Sequence, residues 1–599
     1  MKTYKNLLIG CVALAVALTV PTGCKKQLEP EYRSNLGPEY FSTADGLQAG
    51  LTASYATTRY FWGSEGFTTS AVAGTDEAIR GGDGGLDFHN YTNINPQNGT
   101  IQGIWDNSYV SINNLNGVLQ FGPTANVADA AKNQLLGEAK FLRAFYYFLL
   151  VQNFGNVPLK LTFNTTPSTE DTRAPKKDVY AAMIKDLTEA AAQLGSIQAG
   201  TSKGRASKAA ALHLLAKVYL TKGWDPDARE GDGAADFTNA YNTATSLINQ
   251  RVALNVDLEQ NFGDVFREGN EYGKESLFVA DRNTDPTYSE SGYNGTTAPA
   301  SGNKENRLNN YWVCFYTLTR DVNEFIPGAP VNVTQLVARD QVNGRPYRRF
   351  RPTPYTYGAF NNRDNDSRYD NTFQKFWVMN LPSTQDNNVQ TTTPAFVATR
   401  NGVQVTPVKG VDNAIWMPGR EVTVAERQAF KGVIVAPSQY TTEWFPTMIK
   451  HMDKTKQQFN DASDRPIILL RLGETYLIAA EAALKLNRTA DAATMINVLR
   501  TRAAYRPAGQ PAGAVAAVQV TAADMTLNFI LDERTREMYG EMTRWYDLVR
   551  TRTLVERARL YNEMAAPNIK DFHVLRPIPS ASQLDLLTNR DQFPQNPGY

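Results

Sequence analysis

Three cysteines in 599 residues leave little room for a disulfide framework, and four histidines, at 89, 213, 451 and 573, leave little for a metal centre. No His-x-x-x-His or Cys-x-x-Cys pair brings two ligands to one zinc ion, so neither a metal nor a cofactor is expected. An excess of one charge is also missing, since 61 Lys and Arg face 60 Asp and Glu. That balance supplies no overall field to draw the chain to nucleic acid or to an anionic surface. No glycine-rich phosphate loop follows a strand-like run, and no nucleophile elbow marks a serine hydrolase. Beyond residue 20 no apolar run reaches the roughly 20 residues that a membrane-crossing helix requires.

The one apolar run, Leu7 to Val20, is about 14 residues long and follows Lys2 and Lys5, the pattern of a signal peptide. It ends in Pro21-Thr22-Gly23-Cys24, which resembles a bacterial lipobox, although Pro21 stands where that pattern has an aliphatic residue. Residues 1–23 are therefore expected to be removed, with Cys24 becoming a lipid-bearing N-terminus. An ordinary signal peptide cut nearby is the alternative. Cys11 leaves with the signal, so Cys24 and Cys314 remain. At about 0.8 kcal/mol per buried methylene, two or three acyl chains would hold the protein on a membrane.

Helical periodicity fills two blocks. Leu135, Ala139, Leu142, Tyr146 and Leu149 recur at spacings of four and three, and Val179 to Leu194 and Ala206 to Leu220 repeat the pattern. In the second block, Leu470, Glu474, Ile478, Glu481 and Leu484 share a helix, and Ala490 to Arg502 form another, with Thr489 as a plausible N-cap. Two helices joined by a short turn make a tetratricopeptide-like unit, which buries its apolar face only by stacking. The expected fold is mainly α: a superhelix of such pairs, a long loop-rich layer and minor β. Residues 24–255 form the first helical region, 256–464 the variable layer and 465–599 the second helical region, all in one compact unit. The layer is dense in Gly, Asn, Thr, Asp and Pro yet rich in rings such as Tyr316, Trp377, Trp416 and Trp444. Disordered chains are poor in aromatics, so this layer reads as a functional surface.

Five segments, in order, carry a family resemblance. They are Gly137 to Phe148 followed by Asn153 to Leu159; Gly204-Arg205-Ala206-Ser207-Lys208 leading to Leu220; Glu533 to Leu548; Leu575-Arg576-Pro577-Ile578-Pro579; and Gln595-Asn596-Pro597-Gly598-Tyr599. Together they resemble the SusD/RagB family. That resemblance implies an outer-membrane lipoprotein with four tetratricopeptide-like pairs, not an enzyme, partnered by a SusC-like TonB-dependent transporter. Its ligand would be an oligo- or polysaccharide, or a peptide as in the RagB branch.

Thr75-Asp76-Glu77-Ala78-Ile79-Arg80 resembles the family's Thr-Asp-Glu loop, which contacts glucan in the starch-binding member. Sugars stack on rings while Asp, Asn and Arg hydrogen-bond their hydroxyls. The expected ligand contacts are Asp76, Arg80, Tyr91, Asn95, Tyr293, Tyr311 and Trp312, with Tyr288 also a candidate. Trp105 reads as core. Glu533, Glu537 and Glu541 lie four apart along a helix expected from Glu533 to Arg550, and paired carboxylates run glycosidases. Arginines 534, 536, 544 and 550 among them would keep those carboxylates ionised, so an ion network is expected and a glycan hydrolase is the minor alternative. Asp225-Pro226-Asp227 and Asp232-Gly233 form an acidic turn without the spacing of a calcium loop.

Overall fold

The computed structural model describes residues 38–166, 168–197, 204–282, 306–317, 335, 337–383, 397–456 and 462–599. The signal segment, Cys24, Tyr288 and Tyr293 lie outside them. Among the described residues, eight long helices pack each on the next in chain order. These are α1 (Ala44–Phe61), α2 (Gly99–Phe121), α3 (Asp129–Phe154), α4 (Lys176–Gln193), α5 (Lys208–Trp224), α6 (Ala234–Gln250), α7 (Leu472–Lys485) and α8 (Thr489–Ala504). Taken two at a time they form four tetratricopeptide-like pairs. The stack passes from α6 to α7 across the whole loop-rich region.

Side-chain oxygens start several of these helices by accepting orphan N–H groups. Asn98 Oδ1 accepts from Thr100 and Ile101 at 3.1 and 3.2 Å, and Ser207 Oγ accepts from Ala210 at 3.2 Å. Thr489 is the first residue of α8 instead of its cap; Arg488 ties that first turn to Asp491 at 2.6 Å. In α3 the one-faced pattern understates the burial. Ala139, Leu142 and Tyr146 are fully buried, and so are Phe141, Ala144, Tyr147 and Leu150 on other faces. The helix runs between α2 and α4, and the strap after it closes over Tyr147, whose hydroxyl donates to Lys160 O at 2.7 Å. A helix apolar on every side belongs inside the molecule.

The expected helix from Glu533 to Arg550 is instead two, α9 (Leu527–Met538) and α10 (Arg544–Arg550), followed by α11 (Leu554–Tyr561). Between them Gly540 has φ +81° and Met542 φ +58°, left-handed conformations that end a right-handed helix. A Cβ on Gly540 would also sit 2.7 Å from Met448 Cε.

Strands are short: β1 (Ala78–Arg80), β2 (Ser276–Ala280), β3 (Phe350–Pro352), β4 (Phe376–Val378), β5 (Asn413–Trp416), β6 (Val433–Ile434) and β7 (Ile467–Arg471). β2 and β7 pair antiparallel, Ile467 opposite Ala280, where the loop layer leaves and rejoins the helices. β1 and β3 pair with Ala78 opposite Pro352 and Arg80 opposite Phe350. The loop layer has a core of its own around the β4–β5–β6 sheet, in which Cys314, Tyr316, Trp377, Ile415 and Trp444 are buried. Burial there pushes the Cys314 thiol up to about 12, so it is inert packing. No helix among the described residues is long and apolar enough to cross a membrane.

Leu142 is fully buried in the main core. Leu142→Ala should cost about 2–5 kcal/mol, the usual penalty for a buried cavity, read as a lower midpoint in urea unfolding followed by circular dichroism.

Candidate functional site

An open cleft of about 790 Å³ lies where the loop layer meets the first helix pair. Its walls come from the end of α1 (Tyr60, Phe61), the start of the short helix Glu65–Val72 with its cap (Ser64, Glu65), the start of α2 (Gly99, Thr100, Ile104), Asp83, and the segments 307–315 and 339–349. A backbone zipper holds these segments side by side. Arg349 N donates to Tyr311 O at 2.8 Å and Arg348 N to Val313 O at 3.2 Å. On the other flank Gly81 N donates to Arg349 O and Asp83 N to Arg348 O, both at 3.3 Å, extending the β1–β3 pairing. Side chains then cross-link the walls. Arg349 meets Asp83 at 2.5 Å and Glu65 at 2.7 Å, and Arg348 meets Glu443 at 2.5 Å. The Arg345 and Arg349 guanidiniums lie over the Tyr347 ring at 5.0 and 5.1 Å, and Arg348 lies over Phe315 at 4.6 Å.

The residues singled out from sequence divide sharply. Tyr311 lines the cleft, but its ring is buried and its hydroxyl donates to Gly63 O at 3.2 Å. Asp76 does not reach the cleft: it is wholly buried, with Oδ1 and Oδ2 accepting from Arg544 at 2.8 and 2.6 Å and Oδ2 accepting from Arg557 at 2.5 Å. Its backbone carbonyl accepts from Thr353, and Asn562 Nδ2 donates to the neighbouring Thr75 O at 2.6 Å. Trp312 is also core, 4.8 Å from Phe350 and 5.8 Å from His451. Tyr91 is buried in a left-handed turn, donating to Gly74 O at 3.2 Å and packing 4.9 Å from His573. Arg80 closes its own turn by donating from Nε to Gly84 O at 2.8 Å. Asn95 Oδ1 accepts from Gln97 N at 2.9 Å and its Nδ2 donates to Asn93 Oδ1 at 3.0 Å, holding its loop. Tyr293 lies outside the described residues. Trp105 is core, as expected, edge-on to Phe154 at 5.0 Å. The cleft's own polar groups, Glu65, Asp83, Arg345, Arg348 and Arg349, were missed; their signal was the run Arg345-Pro346-Tyr347-Arg348-Arg349 beside a strand-forming Phe350.

A family model described as the SusD family matches residues 220–599, well over half of the chain. The chain belongs to the SusD family. A second model, described as starch-binding associating with outer membrane, matches residues 68–220. The chain is 25% identical to "SusD-like protein P2" of Formosa agariphila over the full length of both. It is 29% identical to a "SusD-like protein" of Bacteroides ovatus over 30% of this chain and 32% of that one. Among solved structures, a SusD homolog from Bacteroides thetaiotaomicron aligns with a TM-score of 0.68 at 20% identity, covering 95% of this chain and all of that one. A "Laminarin binding SusD-like protein" aligns at 0.63 and 23%, covering 93% and 100%. At those identities the structures attest the shared fold.

In this SusD-family chain the carboxylates of α9 and of the turn after it are locked into ion pairs. Glu533 meets Arg368 at 2.9 Å and Arg500 and Arg536 at 2.7 Å. Glu537 meets Arg471 at 2.8 Å and also Arg368 and Arg502, while Glu541 takes Arg471 and Lys450, each at 2.7 Å. Burial opposes ionisation of all three, yet the surrounding cations outweigh it and hold the carboxyls below their usual range. On α10 and its neighbours, Arg534 bridges Glu474 and Asp547, each at 2.7 Å, and Arg550 joins Asp547 to Glu481 of α7. The acidic turn is likewise engaged, with Asp225 and Asp227 at 2.7 and 2.9 Å from Lys176. No group of three or more His, Cys, Asp or Glu among the described residues is placed to hold a metal ion.

Asp76 obeys the same balance: burial raises its carboxyl, Arg544 and Arg557 lower it further, and the net shift is down. Asp76→Ala leaves two buried guanidiniums without that partner and should cost about 3–5 kcal/mol in urea unfolding. Depressed carboxyls make the unfolded chain the better proton acceptor just below their ordinary values. Stability from Asp76, Glu533, Glu537 and Glu541 is therefore fully present above about pH 4.5 and falls as acid titrates them in the fold. Glu77, which burial pushes up to about 7, contributes the opposite slope between 4.5 and 7. Urea midpoints measured from pH 7 to pH 2 should drop steeply only at the acid end, and a flat profile there would refute the balance.

Proposed function

We propose that this chain is a surface lipoprotein of an outer membrane that captures oligo- or polysaccharide and passes it, uncleaved, to a SusC-like TonB-dependent transporter. The observation that carries the reading is the open cleft on a SusD-family scaffold, with hydrogen-bonding side chains and half-buried rings converging from two segments of the loop layer. Its volume suits several sugar residues or a comparable ligand. A structural neighbour named for laminarin binding favours a glycan over a peptide. The Lys2-to-Cys24 segment supports a lipid anchor, and the transporter partner follows from the family.

The carboxylates that line the cleft argue against hydrolysis. Glu65 and Asp83 both bind Arg349. Partial burial would raise the Asp83 carboxyl, but the Gly84 N–H and the Arg349 guanidinium outweigh it and keep it below its ordinary value. A glycosidase acid needs the reverse shift.

Calorimetric titration and affinity electrophoresis against panels of polysaccharides and peptides should give binding to at least one glycan and none to peptides. Peptide binding alone would transfer the reading to a RagB-like role, and release of reducing ends by the pure protein would overturn it. Arg349→Ala should weaken glycan binding by about tenfold, the scale of one charge-assisted hydrogen-bonding partner. Cys24→Ala should move the protein from the membrane fraction to the soluble fraction; retention in cells lacking the transporter would count against lipid anchoring.

A further inference from the structure

Within the glycan-capture reading, on which this step rests, the cleft carries information about what kind of glycan it takes. Among the described residues its lining holds five arginines, of which Arg307 and Arg339 are engaged by partners of their own, and two carboxylates, Glu65 and Asp83. Both carboxylates are spent on one residue, Arg349, and Glu443 neutralises Arg348 from behind. Arg345 has no carboxylate within ion-pair distance among the described residues; its guanidinium rests on the Tyr347 ring at 5.0 Å.

The rings tell the same story. Of the aromatics in the cleft, Phe61, Phe67 and Tyr311 are buried, which leaves Tyr60, Phe315 and Tyr347 partly exposed. Guanidiniums already lie over two of these three, Phe315 and Tyr347. A neutral sugar binds by laying an apolar ring face on an aromatic and by both donating and accepting hydrogen bonds. Here two of the three half-buried rings carry a guanidinium, and both carboxylates, the strongest acceptors for sugar hydroxyl protons, are engaged. What the cleft offers is guanidinium N–H, a donor without acceptor capacity, in a fork that matches carboxylate and sulfate oxygens two at a time.

We propose that the cleft selects an acidic glycan, one carrying uronate carboxylates or sulfate esters, with Arg345 stacked on Tyr347 as the specificity-determining contact. Uronate and sulfate present the same anionic, acceptor-only oxygens, and the test separates them.

The purified lipid-free chain is titrated with polygalacturonate, alginate, chondroitin sulfate and ι-carrageenan. It is also titrated with carboxyl-reduced polygalacturonate, desulfated carrageenan, and neutral laminarin and amylopectin. The expected result is binding to a uronate or a sulfated member, loss of that binding when its charge is removed chemically, and a fall in affinity as NaCl is raised. Arg345→Ala should weaken that binding about tenfold, with Arg345→Lys retaining more of it than Arg345→Gln and all three keeping the parent urea midpoint. Binding to laminarin or amylopectin with none to any acidic member would overturn the charge selection and leave glycan capture standing. Equal affinity for a charged glycan and its neutralised form would do the same. Failure to bind every polysaccharide would overturn both readings.

Discussion

Guanidinium–carboxylate pairing away from water joins the two ends of this chain. Arginines from the C-terminal segment find carboxylates contributed from far away: Arg544 and Arg557 take Asp76, Arg534 takes Glu474, and Arg550 takes Glu481. Arg471 and Arg502 complete the set by bridging Glu275, beside β2, to Glu537 on α9. Moving each ion out of water costs several kcal/mol, and near-ideal geometry does little more than offset that. The pairs therefore act chiefly by selection. An alternative packing that misplaced α9 or α10 would bury charges without partners, which is far worse than losing an ordinary contact. The helix stack supplies apolar burial; the ion pairs fix where the C-terminal helices sit on it.

That placement reaches the cleft through a short mechanical path. Asp76 sits two residues before β1, and β1 pairs with β3, whose preceding residues are the arginines of the cleft wall. The clamp on Asp76 and the bond from Asn562 to Thr75 hold the root of β1, so Asp83 stays opposite Arg349. A buried residue outside the cleft thus anchors one of its walls. The result is a cross-linked wall, on a layer with its own small core around Trp377, Ile415 and Trp444.

The scaffold was legible because helix packing is written in local periodicity. Ala139, Leu142 and Tyr146 announce α3, and the second block announces α7 and α8 at nearly the observed bounds. The site was legible only in outline. Asp76 has the residue type and loop context of a sugar ligand, but what decides its role is Arg544, 468 residues further on, and no local pattern reveals that pairing. Trp312 and Tyr91 look like platforms because aromatics serve as both platform and core, and burial alone separates the two. Arg345, Arg348 and Arg349 were passed over for the converse reason. An Arg-rich run beside a strand resembles an ordinary solvated edge until β1 and residues 310–313 are laid along its two sides. The break at Gly540 was hidden by a charge pattern that continues smoothly through it.

The clamp on Asp76 also has a consequence for the order in which a growing chain can settle. Synthesis delivers residue 76 early and its two guanidinium partners near the very end. Until then the first three helix pairs can stack, but the carboxylate must stay hydrated and the root of β1 cannot be sealed. Arg173 and Asn596, and Arg576 with Ser70, repeat the arrangement between early and late segments. A chain cut before Arg544 would lack both guanidiniums that clamp Asp76 at the root of β1.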